Sequence, residues 1–360
     1  MRPVPALATL PLLALLAACE TPQAPTPPAP PTPPAADPAA VALQARAASL
    51  FQALPAQPVA GSNELSAARV ELGKTLFFET RMSKNQELSC NSCHSLDKYG
   101  VDGKPTSTGF KGQLGGRNSP TVYNASLHLA QFWDGRAPDV EAQAKGPILN
   151  PIEMAMPDDA HVVTVLKSIP GYAPLFAAAF PGQADPISYD NMATAIGAFE
   201  RSLLTPAPFD RYLGGDLSAL SPEQQVGLAT FMDTGCTTCH AGVTVGGQMY
   251  QKIGLVKPYD TTDMGRFDIT HEESDKMVFK VPSLRNIDHT APYFHDGKVA
   301  TLDQAILLMA DHQLGKQLEP AQVAQITTFL GSLTGPLPTQ AIAPPTLPES
   351  GPDTPKADPT

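Results

Sequence analysis

The chain is short of positive charge, of aromatic residues and of alternating strand pattern, and it carries few cysteines. Lys and Arg number 24 against 35 Asp and Glu, for a net charge of -11. That balance argues against a polyanion, so no nucleic-acid partner is expected. Aromatics make up 6% of the residues, and Trp133 is the only tryptophan. No run of alternating polar and apolar residues stands out, so any sheet is minor. The apolar run in MRPVPALATLPLLALLAACE is too short and too early for a stable spanning helix. Of five cysteines, four fall in two copies of one motif and the fifth is Cys19.

What is present begins at the ends. One Arg, an apolar run and then Leu16-Ala17-Ala18-Cys19 read as a secretory signal over residues 1–18. The stretch resembles a bacterial lipobox, in which Cys19 carries the lipid, since a stray exposed thiol outside the cytoplasm is a liability. Contact with a membrane is then through that lipid alone. The expected location is the cell envelope, periplasm-facing, at the outer or inner membrane. Residues 19–41 are rich in Pro and Ala and read as a semi-rigid spacer; residues 337–360 read as a loose Pro-rich tail.

Between the ends the pattern is helical. Ser221-Pro222-Glu223-Gln224 offers an N-cap, a proline at the first helical position and a capping-box glutamine. The helix should run through Met232 and stop near Gly235. A second helix is expected from Ser66 to Phe78, and a third from the face Met192, Ile196, Phe199 and Leu203. Thr205-Pro206-Ala207-Pro208 breaks the third and marks a boundary between domains at residues 42–204 and 205–336.

Cys90-Asn91-Ser92-Cys93-His94 and Cys236-Thr237-Thr238-Cys239-His240 are both C-x-x-C-H. Disulfides are an alternative in an oxidising compartment, and zinc would require ligands from triplets far apart in the chain. The histidine directly after each pair points instead to two covalently attached haem c groups, with His94 and His240 as proximal iron ligands. The fold class is therefore mainly α, two cytochrome c-like haem domains with minor β. A methionine on the far side of an iron raises its potential and suits electron transfer, whereas an open face permits reaction with small molecules. Met249, Met264, Met277 and Met309 all come after His240, and spacing alone leaves the choice among them open.

The stretches LFFETRMS, SCNSCHSL, GVDGKPTS, RNSPTVYNA, QFWDGRAPDVEAQAKGPI, TPAPFDRYL, GCTTCHAGVTVGG and PSLRNIDHTAPYFHDGKVATLDQAI span most of residues 65–335. Through them the chain resembles the bacterial dihaem cytochrome c peroxidases. The resemblance implies reduction of hydrogen peroxide to water with electrons from a small c-type cytochrome or cupredoxin, in a protein that is typically a homodimer. It implies Met309 as the axial ligand of the second haem, Glu153 as the proton shuttle at the first, and Gln143 as its helper. It makes Trp133 an electron relay between the haems. It also implies a calcium ion held by Asn118, Thr290 and Pro292, through one side-chain amide oxygen and two backbone carbonyls. A related group of dihaem oxidases acts on a partner protein, with a Tyr in place of the Met ligand; a non-catalytic dihaem electron carrier is the other alternative.

One departure from the family concerns the glycine-rich stretch STGFKGQLGG, residues 107–116. The resemblance implies a mobile loop there whose His blocks the reactive iron in the resting enzyme. Here Phe110 takes that position, and no other His lies between His94 and His128. Lys111 is the rival ligand, though an exposed Lys keeps its proton. The expectation is an iron with a free face at His94 even when fully oxidised, needing little reductive activation.

Overall fold

The computed structural model describes residues 37–61 and 63–360. The leader, Cys19 and the spacer up to residue 36 lie outside the described residues. The chain is mainly helical, and its one sheet among the described residues has two antiparallel strands, Tyr250–Lys252 and Val278–Lys280.

Two apolar cores organise it, each built on a helix pair. In the first, Ala67–Phe77 crosses Tyr189–Arg201. Ser66 caps the former by accepting from the Arg69 amide. Gly73 lets the two backbones touch: a Cβ there would sit 1.8 Å from the Ala195 carbonyl oxygen. Met192, Ile196, Phe199 and Leu203 are all buried in this core, as their spacing requires. In the second, Pro222–Thr234 crosses Pro320–Gly331. Ser221 and Gln224 form the expected capping box, and Gly235 ends the helix at φ +98°. Gly227 repeats the role of Gly73, with a Cβ position 2.0 Å from the Gln325 carbonyl oxygen.

The chain passes between the cores at Thr205, through a buried polar knot. Asn124 donates to the Thr205 hydroxyl and accepts from its amide, while Asn286 donates to the same hydroxyl. Buried amides and hydroxyls are costly without partners, and here they satisfy one another.

The expected boundaries need two corrections. A helix begins at Pro38, capped by Asp37, and so intrudes on the segment read as spacer. This helix, Pro38–Leu50, also belongs to the second core, not the first. Ala47 and Phe51 are buried there, with the Phe51 ring 5.3 Å from Phe209. The apolar face finds its partner far along the chain. The tail is likewise not loose. Leu337 and Ile342 pack on the first core. Arg81 donates to the Pro348 carbonyl and Gln86 to that of Pro355, and the Asp358 amide donates to the Lys84 carbonyl.

Candidate functional site

Each C-x-x-C-H unit lines a cavity of its own. Cys90–Cys93 forms one helical turn, closed by the His94 amide donating to the Cys90 carbonyl at 2.9 Å. The Cys236–Thr238 turn does the same, with His240 donating to Cys236 at 3.0 Å. The four thiols are free rather than paired. The His94 Nδ1 lies 3.0 Å from the Pro120 carbonyl oxygen, and that of His240 lies 3.3 Å from the Val245 oxygen. Those contacts fix Nδ1 as the protonated nitrogen and leave Nε2 free to bind a metal. Burial pushes both imidazoles below their ordinary range, His240 to about 4, so both are neutral. Two free thiols, a neutral imidazole with Nε2 available, and an adjoining cavity fit a haem c in each place.

The walls of the two cavities differ in kind. The first, of 330 Å³, is lined by Cys90, Cys93 and His94, and also by Gln143, Glu153, Arg136 and Glu200. Gln143 stands on the helix Val140–Leu149, whose N-cap Asp139 accepts from Ala142. Glu153 lies in the turn after that helix, where its Oε1 accepts from Asn150 Nδ2 at 2.9 Å. Burial raises the Glu153 carboxyl above the ordinary range, opposed by the Arg136 charge and the Asn150 hydrogen bond. Among the described residues no histidine but His94 lines this cavity. Met154, also in the wall, packs into the first core.

The second cavity, of 220 Å³, is lined mostly by apolar side chains around Cys236, Cys239 and His240. Met309 is in its wall; Met249, Met264 and Met277 are not. Trp133 lines both cavities, and its indole nitrogen donates to the Asn118 carbonyl at 2.9 Å. Asn118, Thr290 and Pro292 all line the second cavity. The Asn118 Nδ2 is taken up by the Lys104 carbonyl, which leaves the amide oxygen available. Among the described residues no cluster of three or more His, Cys, Asp or Glu forms a cation cage.

Phe110 is buried but does not line the first cavity. Its ring lies 5.5 Å from the Lys84 ammonium and 5.4 Å from that of Lys111. Lys111 donates to the carbonyl of Thr360, the last residue, and is not in the cavity wall. The loop is sewn in place rather than left loose. Its Phe110 amide donates to the Ile152 and Glu153 carbonyls at 3.0 and 2.8 Å, and a Cβ on Gly109 would meet the Ile152 oxygen at 2.0 Å. The glycine at 109 therefore permits close approach to the turn that carries Glu153.

Sequence reasoning missed Arg136, Glu200, Lys280 and His128. Arg136 belongs to the QFWDGRA stretch, three residues beyond Trp133. Glu200 is pushed up to about 8, chiefly by burial and then by Glu141. Nothing in its helical spacing marks it as facing a cavity rather than core.

The di-haem cytochrome c peroxidase family matches residues 67–218. The chain is 48% identical to the cytochrome c551 peroxidase of Pseudomonas aeruginosa, over 88% of this chain and 92% of that protein. It is 46% identical to the cytochrome c551 peroxidase of Nitrosomonas europaea, over 85% and 91% of the two chains. Among solved structures, a MauG-like protein associated with microbial copper homeostasis superposes with a TM-score of 0.73, at 29% identity, over 81% of this chain and 97% of that one.

Proposed function

The chain belongs to the di-haem cytochrome c peroxidase family, and from that premise we propose that it divides its labour between the two cavities, reducing hydrogen peroxide in the first and receiving electrons in the second. It is an enzyme of the cytochrome c peroxidase type, and family membership implies two haem c groups. The observation that carries the reading is the contrast between the walls: the carboxyl groups of Glu153 and Glu200 with Gln143 and Arg136 around one, a mostly apolar wall with Met309 and without a carboxyl group among the described residues around the other.

A haem held at Cys90, Cys93 and His94, and another at Cys236, Cys239 and His240, would supply iron able to pass single electrons and to react with peroxide. The protein's own residues handle the protons. Reduction of hydrogen peroxide to two waters consumes two electrons and two protons. Glu153 is the group to move a proton from one peroxide oxygen to the other, through the oxygen that Asn150 leaves free. A carboxyl raised toward working pH can take and return that proton in one cycle. Gln143 orients the peroxide through an amide that does not titrate. Trp133, with a face on both cavities, is the relay between them. Met309 and His240 hold the electron-receiving centre, and a methionine there favours a peroxidase over an oxidase with Tyr in that place.

The donor is a small c-type cytochrome or a cupredoxin. Calcium is held by the Asn118 amide oxygen and the Thr290 and Pro292 carbonyls, ligands that suit a hard cation without a carboxylate. The protein works as a homodimer in the periplasm, tethered at Cys19. With Phe110 in place of a blocking His, and Lys111 engaged at Thr360, the oxidised enzyme needs no prior reduction. Stopped-flow mixing of peroxide with the fully oxidised and half-reduced forms tests this. Both are expected to react; reaction of the half-reduced form alone would contradict it.

A further inference from the structure

Among the described residues, Lys280 is the one Lys in the wall of the second cavity, and no Asp, Glu or Arg lines it. Lys280 ends the strand Val278–Lys280, and its amide donates to the Trp133 carbonyl at 2.7 Å, so its backbone is fixed. The residue is 7% exposed. Its ammonium reaches His128 Nδ1 at 3.1 Å, and no carboxylate joins it. An ammonium carries three donors, and here one is used. Lysine is almost never this buried unless paired, because an uncompensated charge in an apolar wall is unfavourable. Burial pushes the bare Lys280 down to about 8. His128 is half-buried with its Nε2 inaccessible, and desolvation together with the Lys280 charge holds it neutral, so Nδ1 accepts and orients the ammonium. The wall's remaining titratable groups are Cys236, Cys239, His240, Tyr293 and His295. Burial raises the thiols and the phenol and lowers the imidazoles, so none supplies an anion.

A haem brings two propionate carboxylates with it. We propose that Lys280, steered by His128, anchors a propionate of the haem in the second cavity. This rests on the reading that the cavity holds a haem. The ion pair would fix how the macrocycle sits in the cavity that His240 and Met309 line. It also neutralises a negative charge that would otherwise favour the oxidised iron, and so holds the potential of the electron-receiving centre high. Lys280 is thus a positioning residue, and it lies one backbone hydrogen bond from Trp133.

The test is spectroelectrochemical titration of the two-haem enzyme carrying Lys280→Gln, Lys280→Met or Lys280→Arg, with haem counted by the pyridine haemochrome. Both neutral variants are expected to lower the potential of the higher-potential haem and leave the other unmoved; Lys280→Arg should stay near the parent value. Should the neutral variants fail to accumulate with two haems while Lys280→Arg does, the anchor is likewise supported. An unmoved potential in Lys280→Gln, or failure of the arginine variant alongside the neutral ones, overturns it. A parent enzyme with a single haem would instead remove the haem reading itself.

Discussion

Glu153→Gln is expected to cut peroxide turnover at least ~100-fold, the lower end of what a positioned acid–base group contributes. The substitution keeps shape and the hydrogen bond from Asn150 can be retained, but the amide cannot carry a proton. Both haems and their potentials should be unchanged, which separates the proton step from assembly. The pH profile supplies a second reading. Glu153 must be ionised to accept a proton, so activity falls as pH drops through its pKa. Burial sets that limb above the ordinary carboxylate range, and the Arg136 charge holds it down. Arg136→Leu should therefore move the acidic limb to higher pH. Near-normal turnover in Glu153→Gln, or a limb that ignores Arg136, would take Glu153 out of the mechanism.

Arg285→Ala is expected to destabilise the protein by about 3–5 kcal/mol, the range for breaking a buried ion pair. Its side chain is fully buried and grips both Asp210 oxygens, at 2.7 and 2.9 Å. The same guanidinium donates to the Gln52 and Val243 carbonyls, and Asp210 accepts from the Leu54 amide. One pair thus ties the segment at Gln52 and Leu54 to the second core. Total stability of a domain is about 5–15 kcal/mol, so the loss is large. Chemical denaturation tracked by tryptophan fluorescence and haem absorbance measures it. A change under ~1 kcal/mol, the size expected of a surface pair, would mean the segment at Gln52 and Leu54 is not held by this pair.

How far the sequence could be read depends on whether a feature is local. The Ser221 capping box, the Gly235 stop and the buried face from Met192 to Leu203 are legible because each depends on neighbours within a few turns. The helix at Pro38 carries a local signal too: Asp37-Pro38 is an N-cap with proline at the first helical position. Composition masks it. That this helix belongs with Phe209 is not legible, since its partner lies far along the chain. The tail reads as loose for the same reason; its anchors are Arg81, Lys84 and Gln86.

A structural repeat is equally hard to see in the letters. QFWDGRA and YFHDGKV fold alike, with bridges Gln131↔Ala137 and Tyr293↔Val299 and with Phe132 and Phe294 at φ 66° and 68°. Trp133 and His295 hold equivalent places and meet edge to face at 6.4 Å. The methionine choice shows what structure adds: four residues fit by spacing, and one of them lines the cavity. Lys280 is the opposite case. As one Lys among 24 basic residues, only its burial without a carboxylate gives it meaning.

The proposed inequality of the two irons is the centre of this account: one closed by Met309, the other left free because Phe110 stands where a His would block it and Lys111 is engaged at Thr360. Electron paramagnetic resonance of the fully oxidised protein tests this most directly. The account predicts one low-spin signal and one high-spin signal in equal amounts; two low-spin signals and no high-spin species would contradict it.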